Sequence, residues 1–306
     1  MIIVFNAIKT NLSNTGGNLS IVETAEILEN LGHEVYIVAS KNRMTWRNVK
    51  VTKRMPKCEM CIAVSIMDLN STRETGARYK ALWLRGAEWK WLTDKQTFLH
   101  DLTKFVSAGG KIVCNAQWLS AKLTKYGFNA KTCYVGLRLD KFRDYGRVRG
   151  DKTIGYLYSD RESKRYADCK RLMKLLEPHG YEFRYFGAGY ELHGQKLIDF
   201  YNTCTYWFSP SVLEGLHRVP AEAALCGCLV VAVDVSSGGT ADWHYQGVTG
   251  LRYKEGCVEQ AAEAILNCKK EDRETMVCSA RKVLFDMIGT KEQCSKKLLE
   301  AIIYDN

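Results

Sequence analysis

Ser209-Pro-Ser-Val-Leu-Glu214-Gly-Leu-His-Arg-Val-Pro-Ala-Glu222-Ala-Ala-Leu-Cys-Gly-Cys-Leu-Val-Val-Ala-Val233 decides how the rest of the chain is read. The apolar run Leu229–Val233 at its end reads as a buried strand, and the residues before it as a loop that turns into a helix near Arg218 to Ala221. The first N–H groups of a helix lack partners and lie at the positive end of its dipole, so such a start binds phosphate readily. Glu214 and Glu222 flank that start. Ionised carboxylates only accept hydrogen bonds, which suits the hydroxyls of a sugar. A diphosphate with hydroxyl-rich groups on both sides describes a nucleotide-sugar. An ordinary strand–loop–helix, with one glutamate favouring the dipole and the other facing solvent, fits the same residues. Context has to separate the two.

The context is a chain of short apolar strands alternating with amphipathic helices, the pattern of parallel α/β sheets. In the first half, strands are expected over 2–6, 34–38, 61–67, 81–85, 111–115 and 132–135, with helices over 19–31 and 118–126. A second series starts at Thr153, with strands over 153–158, 182–186, 205–208 and 229–233. Its helices are expected over 166–176 and 192–201, followed by three more over 258–267, 272–286 and 291–303. A length of 306 residues suits two domains at about 100–200 residues each. The Gly- and charge-rich stretch Gly146–Asp151 reads as the linker.

The motif Glu214-Gly-Leu-(x)4-Ala-Glu222-Ala-Ala-(x)2-Gly-Cys-Leu-Val-Val resembles the Glu-(x)7-Glu signature of retaining glycosyltransferases of family 4, which have the GT-B fold. Gly238-Gly239 and Gly247-Val-Thr-Gly250-Leu look like that family's continuation. Val135-Gly-Leu-Arg-Leu-Asp140-Lys-Phe142 resembles its Asn-Gly-Ile-Asp-x-x-x-Phe crossing between domains. The resemblance covers most of the chain and is weakest between residues 40 and 110. It implies two doubly wound Rossmann-like domains facing across a cleft. Residues 1–145 would bind the acceptor and 146–288 the nucleotide-sugar, and a last helix in 289–306 would return to the first domain.

By the same resemblance, Glu214 sits against the donor sugar and Glu222 binds the ribose hydroxyls. The backbone N–H groups of Gly215 and Leu216 hold the diphosphate. Arg161 and Lys164 neutralise its charge, with Arg165 competing for the role of Lys164. Gly16 and Gly17 let the backbone approach the diphosphate, and Gly187 ends a strand where the family seats the base. Transfer with retention is implied, without an obligatory protein nucleophile. His217 stands where a small residue is usual; it either donates to a phosphate or sugar hydroxyl, or packs. Arg85 ends a strand where many relatives carry a histidine, and it could bind an anionic acceptor with Trp89 and Asn115 on the same side. Trp83, Trp89, Trp91 and Trp118 lie among Arg85, Lys90 and Lys95, either as a base-stacking basic face or as core. No Asp-x-Asp triplet occurs, so neither metal nor other cofactor is expected. Positive side chains and oriented N–H groups would then take up the charge of the departing diphosphate.

Composition narrows the partners. The net charge of +10 is uneven: residues 1–145 hold 22 Lys and Arg against 12 Asp and Glu, whereas the remainder is balanced at 22 against 22. A positive first half predicts an anionic acceptor or platform. That acceptor is either DNA carrying a hydroxymethylated base, as some bacteriophage enzymes glycosylate, or a lipid or lipid-linked glycan at an anionic membrane face. An epimerase and a catalytically silent nucleotide-sugar-binding protein of the same fold are the competing readings. No apolar run approaches the roughly 18 residues of a membrane span. Met1–Ile8 reads as a first strand, not a leader, and the 12 cysteines then indicate a reducing cytoplasm. Association with DNA or with the inner membrane face would be peripheral. Oligomeric state is not legible.

Overall fold

Six strands, β1 (Ile2–Asn6), β2 (Glu34–Val38), β3 (Met60–Ala63), β4 (Tyr79–Leu84), β5 (Lys111–Cys114) and β6 (Ala130–Thr132), form one sheet in the order β2-β1-β3-β4-β5-β6. Five more, β7 (Thr153–Tyr158), β8 (Glu182–Gly187), β9 (Tyr206–Ser209), β10 (Leu229–Val233) and β11 (Leu251–Tyr253), form a second in the order β11-β10-β9-β7-β8. Every pairing in both sheets is parallel. This computed structural model describes residues 1–90, 92–235 and 238–304.

The helices between strands are α1 (Gly16–Asn30), α2 (Leu69–Arg73), α3 (Lys95–Ser107) and α4 (Gln117–Thr124), then α5 (Tyr166–Leu176), α6 (Gly194–Thr203), α7 (Arg218–Leu225), α8 (Val258–Leu266) and α9 (Lys270–Ile288), and last α10 (Lys291–Ile303). One compact unit comprises Met1–Gly136 and the segment from Lys291, and the other is Leu137–Thr290. The division falls before the 145/146 boundary read from composition. The physical reason is Arg149, whose guanidinium donates to Cys204 O (2.8 Å), to Asp144 Oδ1 (2.8 Å) and to Cys226 O. Asn202 adds bonds to Tyr145 N and Arg143 O. The supposed linker is therefore fastened to the second unit.

In the first unit the core lies on one face of the sheet, where Ile3, Phe5, Ile62, Trp83 and Val113 meet Ile21, Val22 and Leu28 of α1 and Leu298, Leu299 and Ile302 of α10. Two signals define α1. The Thr15 side chain accepts from Asn18 N at its start, and Gly32 takes φ +86° just beyond its end. The ion pair Lys291–Glu23, with side chains 14% and 8% exposed, ties α10 to α1.

Local chemistry also explains where elements depart from the sequence reading. The apolar run 61–67 is strand only to Ala63, because Ser65 accepts from Met67 N and starts a short 3₁₀ turn. The sixth strand lies over 130–132, earlier than the expected 132–135. Helix α3, absent from the sequence reading, is capped by Asp94, which accepts from Gln96 and Thr97 N, and it buries Phe98, Leu102 and Phe105.

The second core joins Ile154, Tyr156, Phe208, Val231 and Val233 to Leu172 and Leu176 of α5 and to Val258, Ala261 and Ile265 of α8. On the other face of this sheet Trp207 packs at 1% exposure, edge-on to Tyr201 with centroids 5.2 Å apart. A Cβ at Gly155 would come within 2.8 Å of the Trp207 ring and 2.9 Å of Cys204 Sγ. Gly155→Ala should therefore destabilise the chain by about 1–3 kcal/mol through overpacking. Urea denaturation would measure this, with unchanged midpoint the contrary result.

Candidate functional site

Strand order reverses between β7 and β9 in the second sheet. Open parallel sheets bind ligands beyond the carboxyl ends of their strands, at such a reversal. The loops leaving those two strands carry the residues singled out above. The loop after β7 holds Arg161, Lys164 and Arg165; the loop after β9 leads through Glu214, Gly215 and Leu216 to His217, the N-cap of α7. Ser163 O fastens the loops together, accepting from Val212 N (3.4 Å) and Ser211 Oγ (3.3 Å).

Lys164 and Glu214 form an ion pair across this junction, with side chains 15% and 24% exposed. Ser211 Oγ donates to the same carboxylate oxygen at 3.1 Å. Burial alone would push the Glu214 carboxyl up. The Lys164 ammonium and the donors around it outweigh that and hold it at about 2. His217 is 6% exposed. Its burial, with Lys164 beside it, lowers the imidazole to about 3, so it is neutral. His217 lines a recess together with Lys164, Ser209, Ser211 and Val219.

Gly239 closes the site from beneath. It accepts His217 N–H at 3.0 Å. A Cβ at Gly239 would stand 2.3 Å from His217 Cβ and 2.5 Å from Glu214 Cβ. The glycine read as part of a family continuation thus sets how closely the two site residues approach the backbone. Ser211 and Gly239 received no role from the sequence, although the serine three residues before Glu214 carried a usable signal.

Glu222 lies one turn into α7 and is 5% exposed. Arg218 Nη2 donates to Oε1 at 3.1 Å, an i,i+4 pair with side chains 12% and 6% exposed, and Tyr201 Oη donates to Oε2 at 3.5 Å. The solvent-facing alternative for this residue is thereby excluded. The Arg218–Glu222 spacing announces the pair, but Tyr201 comes from α6 and could not be found by spacing. Arg165 adopts φ +51° and turns away from Glu214, donating to Asp168 Oδ2 (2.8 Å) and Glu255 Oε1 (2.6 Å). Of the two competitors, Lys164 is the one at the junction. Arg161 is exposed, its N–H resting on Ser159 Oγ at 3.3 Å. Gly187 ends β8 at φ +131°, where a Cβ would lie 2.1 Å from Tyr158 O.

In the first unit the reversal lies between β1 and β3. Gly16 and Gly17 open α1. Gly17 O accepts from Arg85 Nη1, and Arg85 Nη2 donates to Val64 O at 2.9 Å. Burial lowers the Arg85 guanidinium to about 10, while Glu88 and Asp68 pull it back up. The carboxylates of Asp68 and Glu88 stand near enough to favour its charged form, and its two hydrogen bonds among the described residues go to backbone carbonyls. Asn115 is 5% exposed, and its Oδ1 has no partner among the described residues.

Of the two readings of the tryptophans, core packing is the one the described rings follow. Trp89 is 8% exposed, packed on Phe98 (5.1 Å) and Trp118 (6.4 Å); Trp83 and Trp118 are buried too. Trp89 is core because Phe98 of α3 lies against it, and Trp83 because it faces the layer of α1 and α10. Trp91 lies outside the described residues.

Two parallel doubly wound sheets of this kind recur in solved structures. HepE of Anabaena, crystallised with UDP, superposes with a TM-score of 0.76 at 14% identity, covering 98% of this chain and 99% of that one. The fold is GT-B. The sucrose-phosphate synthase of Thermosynechococcus elongatus gives 0.73 at 12% identity, covering 98% of both chains. TarM of S. aureus gives 0.66 at 13% identity over 80% of this chain, which spans 55% of TarM. Residues 159–271 match the family model described as Glycosyl transferases group 1, a segment that contains both glutamates and the Lys164 loop. No curated protein matches the chain by sequence. Among the described residues there is no cluster of His, Cys, Asp and Glu suited to a metal, and no helix long and apolar enough to cross a membrane.

The Lys164–Glu214 pair has a pH signature. The folded Glu214 carboxyl titrates at about 2 against an ordinary 4.5. The stability it contributes is therefore present above about 4.5 and lost as pH falls toward 2. Lys164→Met should cost about 1–3 kcal/mol at neutral pH, after allowance for partial exposure. The gap from the wild type should narrow across that acid window in denaturation curves. A constant gap would mean the two side chains do not interact.

Proposed function

We propose that the chain is a glycosyltransferase that moves a sugar, with retention, from a nucleoside-diphosphate sugar to a hydroxyl of an anionic acceptor. One observation carries the reading. At the β7/β9 reversal, a lysine, a carboxylate held ionised and the start of α7 converge on one spot, inside the segment that matches the glycosyl transferase family. The sucrose-phosphate synthase, TarM and HepE folds, the last crystallised with UDP and with UDP-glucose, support a uridine diphosphate sugar as the first donor to try.

In this reading Lys164 and Arg161 face the diphosphate, and the first-turn N–H groups of α7 add the dipole's positive end. The Gly215 and Leu216 backbone lies on the approach to that turn. Pro220, lacking an N–H, sits within it. Glu214, unable to donate while ionised, accepts from a sugar hydroxyl. Glu222 reaches the ribose only with Arg218 and Tyr201 as its fixed companions, so its orientation is set before a ligand arrives. Charge accumulating on the departing diphosphate is met by groups already in place, which is electrostatic catalysis without proton transfer from the protein. The acceptor reading rests on the positive excess of residues 1–145 alone. DNA and a lipid-linked glycan share the anionic character that such a surface attracts.

A panel of nucleoside-diphosphate sugars, with released diphosphate as readout, tests the donor assignment, and turnover with one donor is expected. Glu214→Gln should lower kcat by about 10- to 100-fold with little change in donor affinity, because its hydrogen bond tightens as the bond breaks. Wild-type turnover in that variant would remove Glu214 from the reaction. Glu222→Ala should weaken donor binding by about 1–3 kcal/mol, read by calorimetry.

A further inference from the structure

His217 is the one site residue whose chemistry neither the fold nor the signature explains, since a small residue suffices at the start of that helix. Its Nδ1 lies 3.3 Å from Ser209 Oγ. Ser209 is 3% exposed, and among the described residues its hydroxyl has only this partner. A buried hydroxyl proton needs an acceptor, and the ring nitrogen is the one available. Nδ1 therefore accepts from Ser209, which in a neutral imidazole places the remaining hydrogen on Nε2. That Nε2 is buried and has no partner among the described residues. An unmatched buried donor is costly, and functional sites are where such costs persist.

The surroundings select what the donor meets. His217 lines the recess that Lys164 and Ser211 also line, and it caps the positive end of α7. A cationic side chain and a helix start favour an anionic oxygen, whereas the neighbouring carboxylate of Glu214 is the acceptor suited to a hydroxyl. The ring is held in place by its contact with Ser209 Oγ and by burial at 6% exposure, and its backbone N–H is bound to Gly239 O.

We propose that His217 Nε2–H donates a hydrogen bond to a non-bridging phosphoryl oxygen of the nucleoside diphosphate, making the imidazole a catalytic residue that stabilises the leaving group. The proposal rests on the nucleotide-sugar reading and deepens it. Ser209 is a positioning residue that fixes which nitrogen bears the proton. His217 keeps its proton: the bond from the anomeric carbon to the diphosphate oxygen breaks with its electron pair left on the diphosphate, and the anomeric carbon bonds to the acceptor hydroxyl oxygen. The proton that hydroxyl gives up passes to the departing diphosphate, and the neutral N–H meets the charge that builds there.

The test uses the whole chain and the nucleoside diphosphate of whichever donor sustains transfer, with the matching nucleoside monophosphate as a control. His217→Ala should weaken diphosphate binding by about 10- to 100-fold, as for a hydrogen bond to a charged group. Monophosphate binding should stay within about twofold, and kcat should fall further than KM rises. His217→Gln, which retains an N–H donor, should recover part of both losses. In the wild type, nitrogen-15 NMR of the imidazole should show a protonated Nε2 whose proton moves downfield on adding diphosphate. That signal stands even if the alanine variant fails to fold. In Ser209→Ala the hydrogen should redistribute between the two ring nitrogens. Equal loss of both nucleotides, diphosphate binding unchanged in His217→Ala, or a proton on Nδ1 would each overturn the role of His217 while leaving the donor reading intact. A wild type that binds no nucleoside diphosphate would overturn both.

Discussion

Parallel pairing is the constraint from which the site follows. When every strand of a sheet runs the same way, all the carboxyl ends lie on one edge, and the loops that leave them are neighbours. The reversal of order between β7 and β9 then brings two loops separated by some fifty residues of sequence into hydrogen-bond contact through Ser163 O, Ser211 and Val212. The Lys164–Glu214 ion pair is a consequence of that adjacency. Without it, neither side chain would hold a fixed place at a half-exposed loop end.

Much of this was legible before any coordinates. Strands β1, β2, β7 and β10 and helices α5 and α10 have the bounds that apolar runs and caps indicate. These elements carry uninterrupted patterns, buried on the faces the patterns mark. The failures have physical causes of their own. The run from Cys61 continues in apolar residues past Ala63, so hydropathy could not reveal that the Ser65 hydroxyl would turn the chain. Helix α3 did announce itself, through the Asp94 cap and the spacing of Phe98, Leu102 and Phe105. It was not among the helices expected.

At the site, residue types were readable and partners were not. Two carboxylates, a lysine loop and a helix start could be named from spacing. That Arg165 would bend away to Asp168 and Glu255 depends on a left-handed backbone turn no spacing announces. Arg85 is the sharper case. Its position at the end of β4 suggested a charge facing only solvent, yet Glu88 and Asp68, set by the turns after β4 and β3, lie near enough to favour it. A charge count along a chain cannot separate cations that face solvent from those balanced inside.

The bridge between Leu137 and Thr290 bears on how the two units share the chain. The second unit begins and ends at paired residues, so it is an insertion whose two ends meet. The first unit is begun earlier and finished later. Its apolar layer against α1 is completed by Leu298, Leu299 and Ile302 of α10. In sequence, the first unit is thus interrupted by the whole of the second and completed only by the segment that follows it.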